Sequence, residues 1–215
     1  MNSRISSLPH VPDVVLEHLV SLHAATDQNL GYLLDRLVVP RIQDIQVDCS
    51  EDLFCWPHAE FVSLVAKAKS PITRFGVRSR TMKDDEFIEC LQIMPELRCL
   101  ELVMGGSVDT VNDRVLNLLT PSSHDGDCLL RQLKTFTLCV DRGDDSFEVA
   151  FSEEAFVEMI SKRGYGPGNI RLCLGKPEAR FTPENSKRCQ DGLWNMMSDP
   201  RWDSLNVWKA YQADI

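Results

Sequence analysis

Four stretches of the chain share one short rhythm, apolar-x-x-apolar-x-apolar: Ile42-Ile45-Val47, Ile72-Phe75-Val77, Leu97-Leu100-Leu102 and Leu133-Phe136-Leu138. A fifth, spanning 169–174, keeps Leu172 and Leu174 but puts Asn169 at the first apolar place. The segments start at 42, 72, 97, 133 and 169, giving spacings of 30, 25, 36 and 36 residues. Alternation at the end of each segment predicts a strand, because successive side chains of a strand point to opposite faces. Recurrence at this period predicts stacked repeat units.

Helical patterns fill the gaps. Pro57 opens a helix with Phe61, Leu64, Val65 and Ala68 on one face. Asp84 or Thr81 caps the next, which turns Phe87, Ile88, Leu91 and Met94 inward. A third carries Val111, Val115, Leu118 and Leu119 and stops at Pro121, and Ser152 caps a fourth with Phe156, Met159 and Ile160 on its stripe. Upstream, Asp27 caps a helix bearing Leu30, Leu33, Leu34 and Leu37, and a further helix is expected over 13–24.

One strand and one helix per unit, repeated about five times, predicts an α/β solenoid with a parallel sheet in sequential order, each unit sharing its core with the next. A parallel-sheet α/β domain with crossover helices is the competing arrangement. The expected organisation is a single domain over 1–215: an N-terminal helical cap at 1–26, repeats at 27–175 and an irregular C-terminal cap at 176–215. Trp194, Trp202 and Trp208 cluster in that last stretch. The segments 121–132 and 141–151 are expected as loops between units.

Composition narrows the function classes. With 215 residues, 43% hydrophobic and 26% charged, the chain can bury a substantial core. A net charge of −9 argues against nucleic acid as a partner, since phosphates would be repelled. No apolar run is long enough for a membrane-spanning helix, and Pro12, Asp13, Glu17 and His18 interrupt the early apolar residues. An intracellular location, cytoplasmic or nuclear, is therefore expected. The eight cysteines are scattered without a Cys-x-x-Cys pair, the pattern of reduced packing thiols.

The strand-helix run over 56–103, ending in the phrase Met94-Pro95-Glu96-Leu97-Arg98-Cys99-Leu100-Glu101-Leu102, resembles the repeat region of fungal F-box and leucine-rich-repeat proteins. The likeness covers roughly 27–175. It implies a leucine-rich-repeat-like solenoid that recruits a substrate protein, with an F-box that docks to the Skp adaptor of a cullin ubiquitin ligase. The segment 8–22 only faintly echoes an F-box start, so the F-box itself is missing or degenerate. The asparagine that many such repeats place three residues after the last apolar position of the strand is also replaced, here by Ser50, Arg80, Gly105, Asp141 and Pro177.

In a solenoid of this kind the residues flanking the inward apolar positions face the concave side. They form a grid: Asp44, Gln46 and Asp48; Arg74, Gly76 and Arg78; Cys99, Glu101 and Val103; Thr135, Thr137 and Cys139; Arg171, Cys173 and Gly175. Charge changes there from row to row, from acidic to basic and back to mixed, which suits a protein partner of complementary charge. Arg74 and Arg78 lead the candidates because arginine is enriched at interface hot spots.

Catalytic and metal chemistry find little support. Cys55-x-x-His58, with Cys49 nearby and His124 and Cys128 further on, lacks a second regular ligand pair. The glycine-rich 164–169 fits a helix stop and turn better than a phosphate loop, and the acidic cluster of Asp141, Asp144 and Asp145, with its Arg142-Gly143-Asp144, fits a solvated loop. The expectation is a non-enzymatic protein-binding scaffold without metal or cofactor. An α/β enzyme using a thiol or nucleotide, and a truncated repeat protein without independent function, are the alternatives.

Overall fold

The computed structural model of the chain describes residues 12–25, 30–49, 55–105, 110–122, 128–141, 150–164 and 170–174. Their elements alternate along the chain: β1 (Val14–Val15), β2 (Ser21–Ala25), α1 (Leu30–Arg36), β3 (Leu37–Val38), β4 (Asp44–Cys49), α2 (His58–Lys67), β5 (Arg74–Ser79), α3 (Asp84–Gln92), β6 (Cys99–Gly105), α4 (Asp113–Leu119), β7 (Thr135–Asp141), α5 (Glu153–Arg163) and β8 (Ile170–Leu174). Six strands form one sheet in the order β2-β4-β5-β6-β7-β8, and β1 with β3 forms a second, two-stranded one. Every pairing is parallel. The protein is therefore α/β with a parallel sheet in sequential order.

The strands exist where the apolar rhythm placed them, and the hydrogen bonds explain why it recurs. The carbonyl of Val20 accepts the amides of both Gln43 and Asp44. The carbonyl of Gln43 does the same for Thr73 and Arg74, Thr73 for Arg98 and Cys99, and Arg98 for Lys134 and Thr135. Each strand entrance thus hangs on the one before. A tight turn precedes several of them, closed by amide-to-carbonyl bonds from Leu19 to Leu16, Ile42 to Val39, Leu97 to Met94 and Leu133 to Leu130. Such a turn tucks in an apolar side chain just ahead of the strand: Ile42, Leu97 and Leu133 are all buried.

The alternate strand residues Ile45, Val47, Phe75, Val77, Leu100, Leu102, Phe136 and Leu138 are buried. They share one core with buried side chains of all five helices, among them Leu34, Phe61, Phe87, Leu116 and Phe156. Trp56, Phe61 and Phe75 run through it with ring centroids 5.1 and 5.2 Å apart. Consecutive helices lie side by side, α1 against α2 and α4 against α5. Sequential order accounts for this one-sided arrangement: crossovers of a single hand between successive neighbours return every helix to the same face. Among the described residues, no helix is long and apolar enough to cross a membrane.

Several expectations need correction. Residues 13–24 are not helical, since β1 and β2 occupy that stretch, and the rest of the cap expected over 1–26 lies outside the described residues. Leu19, Leu22 and Ala24 repeat the apolar-x-x-apolar-x-apolar spacing of the other strands, and pairing with β4 overrides the helical look of the segment. Leu33 is 45% exposed, so α1 buries Leu30 and Leu34 alone of its leucines. The residue ahead of α3 is Lys83, whose amide is met by the Glu86 carboxylate at 2.9 Å, while the Thr81 hydroxyl instead accepts the Trp56 amide. Met94 is buried but lies beyond the end of α3. Asn112 caps α4 by accepting from the Val115 amide, and Ser152 caps α5 as expected through the Ala155 amide. Gly164 ends α5 at φ +60°, a backbone conformation glycine adopts without strain. The Asp27 cap, the acidic-loop residues 144 and 145, and the C-terminal cap over 176–215 lie outside the described residues.

Candidate functional site

The residues that flank the buried strand positions all fall on the opposite face of the sheet. Register sets them in three rows. Ser21, Asp44, Arg74, Cys99 and Thr135 form the first, and His23, Gln46, Gly76, Glu101, Thr137 and Arg171 the second. The third runs Ala25, Asp48, Arg78, Val103, Cys139 and Cys173. Eight of the sequence candidates, Asp44, Gln46, Asp48, Arg74, Arg78, Glu101, Thr135 and Thr137, thus share one face, and Arg171 is in backbone register with Thr137. Gly175 lies outside the described residues.

Charged side chains on this face meet across neighbouring strands. Arg78 stands 3.8 Å from Asp48, and Arg74 stands 4.0 Å from Glu101. The arginine side chains remain 45% and 47% exposed, so these long pairs contribute little to stability and leave guanidinium edges accessible. Between the two arginines Gly76 is covered by Gln46: a Cβ at Gly76 would come within 3.2 Å of the Gln46 Cγ. The absence of a side chain there lets Gln46 lie flat across β5 and keeps the middle of the face shallow. Asp44 buries its Oδ1 without a hydrogen-bond partner. Burial raises the Cys99 thiol above its ordinary range, opposed by the nearby Arg74 and reinforced by Glu101 and Asp44.

His23 was missed among the candidates because its strand was expected to be helix. The spacing of Leu22 and Ala24 on either side was the available signal.

A second constellation lies in the helical layer. His58, the first residue of α2, places Nε2 2.8 Å from Glu89 Oε2, while its Nδ1 lies 3.9 Å from the Cys90 Sγ. Acid, imidazole and thiol stand in line, a placement that residues about 31 positions apart could not announce in sequence. Cys90 is nevertheless fully buried, and burial, followed by Glu89 and Glu86, pushes its thiol up to about 12. A nucleophilic cysteine requires the opposite, an accessible thiol with a lowered pKa. Cys55 is exposed, and its neighbour His58 is engaged with Glu89, so the Cys55-x-x-His58 spacing gathers no ligand set. Among the described residues, no group of three or more His, Cys, Asp or Glu side chains is placed to hold a metal ion. His124 lies outside them.

Compared with family models, with curated proteins and with solved structures, the chain matches none.

Proposed function

We propose that this chain is a non-enzymatic scaffold of leucine-rich-repeat type that holds a protein partner against the face of its six-stranded sheet opposite the described helices. One observation carries the reading. Parallel sheets are ordinarily covered on both faces, whereas here the five helices among the described residues all share a single core with one face of the sheet. The other side presents the half-exposed arginines of β5 between acidic residues of β4 and β6. Such a patchwork favours a partner whose charges alternate in the complementary sense, and it fixes orientation more than affinity. The resemblance of 56–103 to fungal F-box and leucine-rich-repeat proteins suggests the setting, with the scaffold acting as the substrate-recognition part of a ubiquitin ligase receptor.

The test is a comparison of wild type with the Arg74→Glu, Arg78→Glu double variant, which places like charges beside Glu101 and Asp48. Proteins cross-linked to wild type in cells should include at least one that the variant loses, while the circular dichroism of the two stays the same. An identical set from both overturns the assignment of this face. Direct titration with purified Skp adaptor tests the ubiquitin setting separately, and absence of binding removes it.

A further inference from the structure

The large apolar side chains that stand exposed among the described residues are not spread over the molecule. Val14, Val15, Leu16, Val20, Tyr32 and Leu33, between 37% and 57% exposed, all come from the stretch that carries β1, β2 and α1. Among the described residues that stretch forms one end of the sheet, where β2 is the terminal strand. Apolar exposure so concentrated marks an interaction surface more often than chance.

The backbone of β2 adds a more specific signal. Asp44 lies opposite Ser21 and donates its amide to the Val20 carbonyl. In a parallel ladder this means that residues 20, 22 and 24 bond to β4, while Ser21, His23 and Ala25 direct their N–H and C=O groups away from it, to the edge that no other described strand pairs with. An edge of this kind is a template for another strand, and proteins usually blunt it with charge or proline. The segment from Leu19 to Ala25 holds neither a Lys, Arg, Asp or Glu nor a proline.

We infer that this edge pairs with the same edge of a second copy, β2 antiparallel to β2 about a twofold axis. Charge selects this occupant. The chain carries a net −9, so most faces of two copies repel each other, but the Leu19–Ala25 edge brings no formal charge to its own image. An isologous contact of this kind closes at two copies, since each edge is consumed by the other. The inference stands apart from the partner-binding proposal, because it uses the edge of the sheet and not its face.

Sedimentation and light scattering over a dilution series test it. Wild type should have twice the 24.4 kDa mass of one chain, dissociating on dilution. His23→Pro removes an amide aimed at the open edge and none that bonds to β4, and it should weaken the dimer by at least about tenfold with unchanged circular dichroism. Val20→Glu, which sets like charges near one another across the axis, should do the same and guards against a folding defect in the proline variant. A monomer at every concentration overturns the inference. So does a dimer that both variants leave intact, or assembly into open polymers.

Discussion

The guanidinium of Arg163 donates from Nη1 to the carbonyl of Leu130 at 3.0 Å, and Leu130 is the single non-glycine among the described residues with positive φ, at 54°. The same guanidinium reaches Leu119 O through Nε at 2.6 Å and Leu129 O through Nη2 at 2.8 Å. One side chain from the last turn of α5 thereby ties the end of α4 to the turn that enters β7. A left-handed leucine costs about 1–2 kcal/mol, and burying its side chain returns about 1.5–3 kcal/mol. Leu130 is 3% exposed, so burial holds the strained turn in place. Arg163→Ala, which strips three carbonyls of a charged donor, should lower stability by about 3 kcal/mol in urea denaturation. Arg163→Lys should recover only part of this, since an ammonium cannot fork to three acceptors in one plane. Full recovery by lysine would show that charge alone matters there. Leu130→Gly relieves the dihedral but should still be destabilising, because the lost burial is the larger effect.

The turn beyond β5 is stitched by a hydroxyl at the end of the strand, one residue before the position where many leucine-rich repeats carry asparagine and this chain has Arg80. Ser79 is fully buried and its Oγ accepts the amides of Thr81 at 3.2 Å and Met82 at 3.1 Å. The Thr110 hydroxyl in turn donates to the Met82 carbonyl, joining this turn to the start of the next unit. Ser79→Ala removes the hydroxyl that accepts these two amides and should cost about 2 kcal/mol, read as a shift in the urea midpoint at constant slope. A loss confined to a few tenths would mean that water replaces the hydroxyl. Thr110→Val probes the other half of the stitch and should be the milder change, because the Met82 carbonyl loses its donor while the apolar surroundings gain a methyl.

What the sequence made legible divides along a physical line. Strands with strong apolar alternation, such as Phe75-Val77 and Leu100-Leu102, follow from periodicity alone, since their apolar side chains are buried on a single face. The face residues follow by the same alternation, and register then lines them up. β2 was hidden because Ala24 gives a weak apolar signal and the preceding Val14, Val15, Leu16 and Leu19 also fit a helical stripe. Periodicity cannot weigh that stripe against the bonds offered by β4. The roles of Arg163, Ser79 and the His58–Glu89 contact depend on groups from different units converging, and no local pattern encodes that convergence.

Cysteine reactivity separates the scaffold from a thiol enzyme. Burial, then the charge of Asp48, raises the Cys49 thiol to about 11, and burial raises Cys90 to about 12. At pH 7 their thiolate fractions are therefore on the order of one in ten thousand and one in a hundred thousand. Cys55 is exposed. In native protein treated with iodoacetamide, peptide mass spectrometry should find Cys55 alkylated well before Cys49 or Cys90, which should react only on unfolding. Preferential labelling of Cys90, with loss of that preference in His58→Ala, would instead favour the thiol-enzyme alternative.

Acid sensitivity should localise to the start of α3. Asp84 Oδ2 accepts from Asn112 Nδ2 at 3.1 Å and from Arg114 Nη1 at 3.3 Å, and the same Arg114 nitrogen lies 2.6 Å from Asp85 Oδ1. The Asn112 hydrogen bond, ahead of Arg114, holds the Asp84 carboxyl below the ordinary aspartate range. A carboxyl with a folded pKa below its unfolded one binds fewer protons in the folded state. Its contribution is thus fully present above the unfolded value of about 3.9 and disappears as pH falls through the lowered folded value. Between about pH 5 and pH 2, wild type should lose stability more steeply than Asp84→Asn, whose side chain does not titrate. Carbon-detected NMR of the carboxyl should show the Asp84 titration moving up further in Asn112→Ala than in Arg114→Ala. Arg114 is 58% exposed and its charge is screened by solvent, whereas the amide contact is short-ranged and is not. The reverse ranking would mean that the ion pair, and not the hydrogen bond between the starts of successive helices, sets the acidity of this residue.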